Sequence, residues 1–131
     1  MLYSWACANP KSVACIAGIY PVCSIASYPG IAKAAPAYGL TDTEFSAELP
    51  KHNPIDRLAP LARAKVPVFH IHGDVDTVVP LADNSGLLAS RYKALGGKME
   101  LIVPLGQGHN MWQGFFQCQE LVDFFIQHKR G

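Results

Sequence analysis

Apolar positions open the chain at helical spacing: Leu2, Tyr3, Trp5, Ala6 and Cys7 fit a buried helix. The pattern ends before Asn9-Pro10, because a proline bars the residue ahead of it from the right-handed helical region. Val13 to Tyr20 is short and apolar on both faces, which predicts a fully buried strand. Residues 21–53 break this rhythm. Pro21, Pro29, Gly30, Pro36, Gly39 and Pro50 punctuate them, and one credible helix opens at Thr41-Asp42-Thr43-Glu44, a capping-box pattern running on through Phe45 and Leu49. This irregular insert reads as a lid or substrate-side segment, or equally as a plain surface connection.

From Asn53 the spacing turns regular. Pro54 to Ala64 predicts a helix or two turns, and Val66 to His72 a strand with Pro67 near its start, where a missing N–H is tolerable. Gly73 to Asp76 is a turn. Leu81, Leu88, Tyr92 and Leu95 share a helical face that Gly96-Gly97 brings to a stop. Met99 to Val103 is a further strand, ended by Pro104. Cys118, Leu121, Val122 and Phe125 stand at i, i+3, i+4 and i+7, so an amphipathic helix closes the chain. Strands alternating with helices predict an α/β fold whose parallel sheet is covered on both faces. In such sheets ligands lie outside the carboxyl ends of the strands, so the residues after Val66–His72 and Met99–Val103 matter most.

Composition narrows the class. At 131 residues the chain suits one domain, and 50% apolar with 16% charged residues is globular usage. A formal charge of +1 leaves no footprint for nucleic acid. The longest apolar run, Val13 to Cys23, holds Gly18 and Pro21 and falls short of the roughly 20 residues of a membrane span. Cys7, Cys15, Cys23 and Cys118 form no CxxC pair and read as free, buried thiols, with disulfides open in an oxidising compartment. No cofactor motif is present and no address is legible, so the compartment stays undetermined.

The chemistry sits in two loops. One strand end carries His72-Gly73-Asp74-Val75-Asp76-Thr77-Val78-Val79-Pro80, and the next carries Gly106-Gln107-Gly108-His109-Asn110. If the two strands are neighbours, a carboxylate from the first can hold the imidazole of the second and fix its tautomer. Gly106 and Gly108 would let the backbone present His109 without strain. Gly73 to Pro80 resembles the GxxDxxVP acid loop of the α/β-hydrolases, and Gly108-His109 resembles their histidine loop. The likeness is greatest to the prolyl-oligopeptidase-like and dienelactone-hydrolase-like branch and covers nearly the whole chain. It implies Asp76 as the acid and His109 as the general base of a Ser-His-Asp triad acting on an ester, amide or peptide bond. Asp74 reads as a turn acid bonded to local N–H groups. Trp112, Phe115 and Phe116 read as packing under the last helix, and Tyr20 as core packing at the right rim for a pocket.

The triad's nucleophile is missing. No GxSxG occurs, and Ser4, Ser12, Ser24, Ser27, Ser46, Ser85 and Ser90 all lack its glycine frame. The chain opens in a helical pattern without an N-cap, where the resemblance places the helix that follows the nucleophile. The serine is therefore expected upstream of Met1, these residues being the C-terminal part of the fold and inactive alone, without the N-terminal half. Two alternatives stand beside this reading. His70-Ile71-His72-Gly73-Asp74 is an HxHxD pattern that could hold zinc in a metal-dependent hydrolase, resembling the metallo-β-lactamase motif except that Val75 stands at its last histidine; His52, His109 and His128 are too few for a second metal. A non-catalytic, truncated hydrolase-like module is the other.

Overall fold

The computed structural model describes residues 2–129. Helix α1 (Leu2–Ala8) stops at Asn9-Pro10 as expected, but it buries one face only. Tyr3, Ala6 and Cys7 are buried, while Leu2 and Trp5 are more than half exposed. Strand β1 (Ile16–Ile19) is shorter than the predicted Val13–Tyr20 and only Ile16 is fully buried. The reason is its place in the sheet. It pairs with β2 (Val68–Ile71) on one side, and β2 pairs with β3 (Met99–Ile102) on the other, all parallel, in the order β1-β2-β3. Among the described residues β1 has no second neighbour of the kind that covers β2, whose four residues are all buried.

Alternation along β2 divides the core. Val68 faces a cluster with Tyr3, Ile16, Leu61, Leu88 and Tyr92, drawn from α1, β1, α4 (Ala59–Arg63) and α5 (Ser85–Ala94). Phe69 and Ile71 face Phe115 and Phe124, from α6 (Gln113–Phe116) and α7 (Gln119–His128). The sheet is thus covered on both sides, as the alternation of elements predicts. Two helical faces are rotated from expectation. In α7, Phe124 is buried against Phe69, with ring centroids 5.5 Å apart, whereas Val122 and Phe125 are nearly half exposed. In α5, Leu88 and Tyr92 are buried, but Leu81 precedes the helix and Leu95 is exposed.

The insert builds a small core of its own. Short α2 (Ile31–Ala34) and the longer α3 (Asp42–His52) enclose Ala34, Ala35 and Phe45. The Thr41–Glu44 capping box forms in both directions. Two buried asparagines hold this segment, Asn84 from just before α5 and Asn53 from within it. Asn84 Oδ1 accepts from the N–H groups of Cys23 and Ser24 at 2.8 and 3.0 Å, and Asn53 Oδ1 accepts from Ile25 N–H at 2.9 Å. Cys7, Cys15, Cys23 and Cys118 are all free thiols, Cys15 alone only half-buried. No helix of the described residues is long and apolar enough to cross a membrane.

Candidate active site

Ile19, Ile71 and Ile102 stand level in the register, so the three strands finish at one rim. Beyond them the acid loop and the histidine loop run side by side. Val75 N–H donates to Gln107 O at 3.1 Å, and Gly106 N–H donates to Asp74 Oδ1 at 2.6 Å. Asp74 therefore clamps the neighbouring loop, rather than bonding locally as its turn position suggests. Gly106 has φ 71°, a left-handed conformation that glycine adopts freely, whereas Gly108 has no such need. Gly73 has a stricter reason. A Cβ there would lie 2.0 Å from the Gln107 carbonyl oxygen, so the loops approach this closely only without a side chain. Gly73→Ala is expected to push them apart and cost about 2 kcal/mol, a loss that urea unfolding would measure. Wild-type stability in that variant would show that the loops do not rely on this contact.

Asp76 and His109 meet across the gap between β2 and β3. His109 Nδ1 lies 2.9 Å from Asp76 Oδ2, while Asp76 Oδ1 accepts from Val78 and Val79 N–H at 2.9 and 2.8 Å. The carboxylate is fully buried and the imidazole about one third exposed. Burial alone would raise the Asp76 carboxyl. The Val79 N–H, the His109 imidazole and the Val78 N–H outweigh it and hold the group below its ordinary value, so it stays an anion near neutrality. With Nδ1–H given to a carboxylate, Nε2 of a neutral His109 is the basic nitrogen, and it has no hydrogen-bond partner among the described residues.

Tyr20 is closer to this pair than core packing implies. Its ring lies 4.2 Å from the His109 ring, centroid to centroid, and its hydroxyl donates to Asn110 O at 3.3 Å. It reaches there from a left-handed backbone, φ 35°, just past the end of β1, a conformation that costs a non-glycine residue energy and often marks a working site. Phe115 is buried beneath it, edge-on at 5.0 Å. Trp112 and Phe116 are 40% and 49% exposed, so these two do not pack under the last helix as expected.

The zinc reading of the HxHxD pattern does not match the geometry. His70 and His72 are completely buried, and both nitrogens of each ring already have protein partners. Asp74 turns instead to Gly106. Among the described residues no three His, Cys, Asp or Glu side chains gather as a metal site. What the sequence left unseen is the surround of Asp76: the paired N–H groups of Val78 and Val79, and His72 Nε2 at 3.4 Å from Oδ2. The DxxVP spacing could have signalled the first. Nothing local signals the second.

No family profile matches the sequence, and no curated protein does. Solved structures do match. An acylaminoacyl peptidase in complex with Z-Gly-Gly-Phe-chloromethyl ketone superposes with TM-score 0.73 at 17% identity, over 98% of this chain and 22% of that one. The Pyrococcus horikoshii acylaminoacyl peptidase gives 0.71 at 16%, over 98% and 23%. A truncated form of a carbohydrate esterase from gut microbiota gives 0.66 at 23%, over 88% and 42%. This chain thus spans less than half the length of each, and at these identities the likeness is one of fold.

Proposed function

We propose that this chain, which has the fold of the α/β-hydrolases, supplies the acid and the general base of a serine hydrolase that acts on carboxylic ester, amide or peptide bonds. The observation that carries the reading is the 2.9 Å contact of His109 Nδ1 with a buried Asp76 where adjacent parallel strands end, with Nε2 left over. That nitrogen can take a proton from a serine hydroxyl as the oxygen attacks the carbonyl carbon. It returns the proton to the leaving alcohol or amine when the tetrahedral intermediate collapses, and the same exchange with water frees the acid. Asp76 orients the ring and stabilises the imidazolium.

The serine belongs to the N-terminal half of the fold, outside these 131 residues. None of the chain's serines stands in a Gly-x-Ser-x-Gly frame, and Ser85 is completely buried between two histidines. Val22, Ile25, Tyr28 and Tyr38 of the insert border a groove of about 360 Å³ that reaches Ser4 of α1.

Reconstitution tests this. The upstream-encoded half, expressed separately and mixed with this chain, is expected to hydrolyse p-nitrophenyl esters and to show one fluorophosphonate-labelled serine, while this chain alone does neither. A folded complex without labelling, or an upstream frame without Gly-x-Ser-x-Gly, overturns the reading.

A further inference from the structure

Behind the Asp76–His109 pair runs a buried polar chain that the proposed reaction does not use. Tyr3 of α1, His70 at the centre of β2, Ser85 at the start of α5 and His72 just past β2 are 4%, 0%, 0% and 0% exposed. The Tyr3 hydroxyl lies 2.6 Å from His70 Nε2, and His70 Nδ1 lies 2.9 Å from Ser85 Oγ. Ser85 Oγ lies 2.8 Å from His72 Nδ1. His72 Nε2 ends the chain, 2.8 Å from Val79 O and 3.4 Å from Asp76 Oδ2.

Burial dictates which way the protons run, because an unpaired polar group in the core costs about 1–3 kcal/mol. Val79 O and the Asp76 carboxylate are both acceptors, so His72 Nε2 must carry a proton and donate. Ser85 has a single hydroxyl proton between two ring nitrogens, so one of them must donate to its oxygen and the other accept its proton. With His72 neutral, its Nδ1 is the acceptor. His70 Nδ1 is then the donor, and its Nε2 accepts from Tyr3. Every group is satisfied by this one polarity, Tyr3 to His70 to Ser85 to His72 to Val79 O and Asp76. Protonating either ring leaves a hydroxyl proton without an acceptor. Burial accordingly pushes His72 down and His70 to about 3.

We propose that Tyr3, His70, Ser85 and His72 form a one-way hydrogen-bond relay that positions Asp76, with His72 as the positioning residue. The proposal rests on reading Asp76 as the triad acid. Oδ1 is held by two backbone N–H groups; Oδ2 has His109 on one side and the His72 N–H on the other. With the opposite His72 tautomer, a bare Nε2 would face two oxygens and drive the carboxylate away from His109. The relay also ties α1 to the acid loop, ending on the Val79 carbonyl and beside Asp76, which is 73 positions from Tyr3.

The test is a graded series at Ser85, whose hydroxyl orients both rings. In the full chain, labelled at histidine nitrogens, two readouts are followed by magnetic resonance: the His72 tautomer and the solvent exchange of the proton on His109 Nδ1. Ser85→Ala is expected to mix the His72 tautomers and speed that exchange about tenfold, the loss of one buried hydrogen bond. Ser85→Cys, near in size with a weaker donor, should fall between. A merely structural role would follow side-chain volume and leave the His109 proton unmoved, and that result overturns the proposal. If Ser85→Ala does not fold, Tyr3→Phe reads the same relay from its far end, with a smaller change in the same direction; no change in His109 exchange there is equally fatal. None of these readouts needs the nucleophile, so a failed reconstitution leaves the relay standing, and an active enzyme with an insensitive His109 removes the relay alone.

Discussion

In the reconstituted hydrolase of the proposed reading, Asp76→Asn is expected to lower kcat by about four orders of magnitude with KM little changed. The side chains are nearly the same shape, so the fold survives and the effect isolates the chemistry. The asparagine carbonyl can replace Oδ1 and accept from the Val78 and Val79 N–H groups. Its amide nitrogen then stands where Oδ2 met His109, offering a donor to a nitrogen that was itself a donor. The ring answers by moving its proton to Nε2, the nitrogen that should take the serine proton, and the base is lost. Steady-state kinetics on the variant measures the change. A loss of less than about tenfold would mean that Asp76 does not set the tautomer of the catalytic base.

Lowering the pH from 7 to 4 is expected to destabilise the fold by about 3 kcal/mol through His70 alone. Burial holds its pKa at about 3, against 6.5 for a free imidazole. Between those values the unfolded chain binds a proton that the folded chain refuses, so stability is present in full above pH 6.5 and drains away as the pH falls towards 3. His72, also pushed down by burial, acts in the same direction. Asp76 adds its share lower, below the ordinary carboxylate value, since its own is depressed. Urea midpoints at the two pH values measure the drop. His70→Gln keeps an acceptor for Tyr3 and a donor for Ser85 but cannot titrate, so much of the acid loss should vanish in it. The same loss in both proteins would assign the acid sensitivity elsewhere.

The sequence was most legible where one spacing has one physical solution. Val68–Ile71 and Met99–Ile102 lie inside their predicted runs, and the Thr41 capping box and the stop before Pro10 form as read. The juxtaposition of Asp76 with His109 followed from two loops at the ends of strands that prove to be neighbours. Errors came where burial depends on partners distant in sequence. Val13–Tyr20 reads as fully buried because its residues are apolar, but among the described residues β1 is paired on one side only, and of its four residues Ile16 alone is buried. Val122 and Phe125 fit the helical period as well as Phe124 does, and only the position of Phe69 decides which face docks. His70 and His72 read as packing residues, with zinc ligation as the alternative because alternate strand residues share a side; they are buried, and the partners on that side, Tyr3 and Ser85, are announced by no local pattern. Asp74 differs from its turn-acid reading for the same reason, its partner Gly106 lying 32 positions away.

The most direct test is the position of the proton on His109 at neutral pH, read from its two nitrogen-15 shifts in the native chain and in Asp76→Asn. The proton should sit on Nδ1 in the native protein and move to Nε2 in the variant. A native His109 protonated on Nε2, or one indifferent to the substitution, would contradict the pairing from which the proposed chemistry is built.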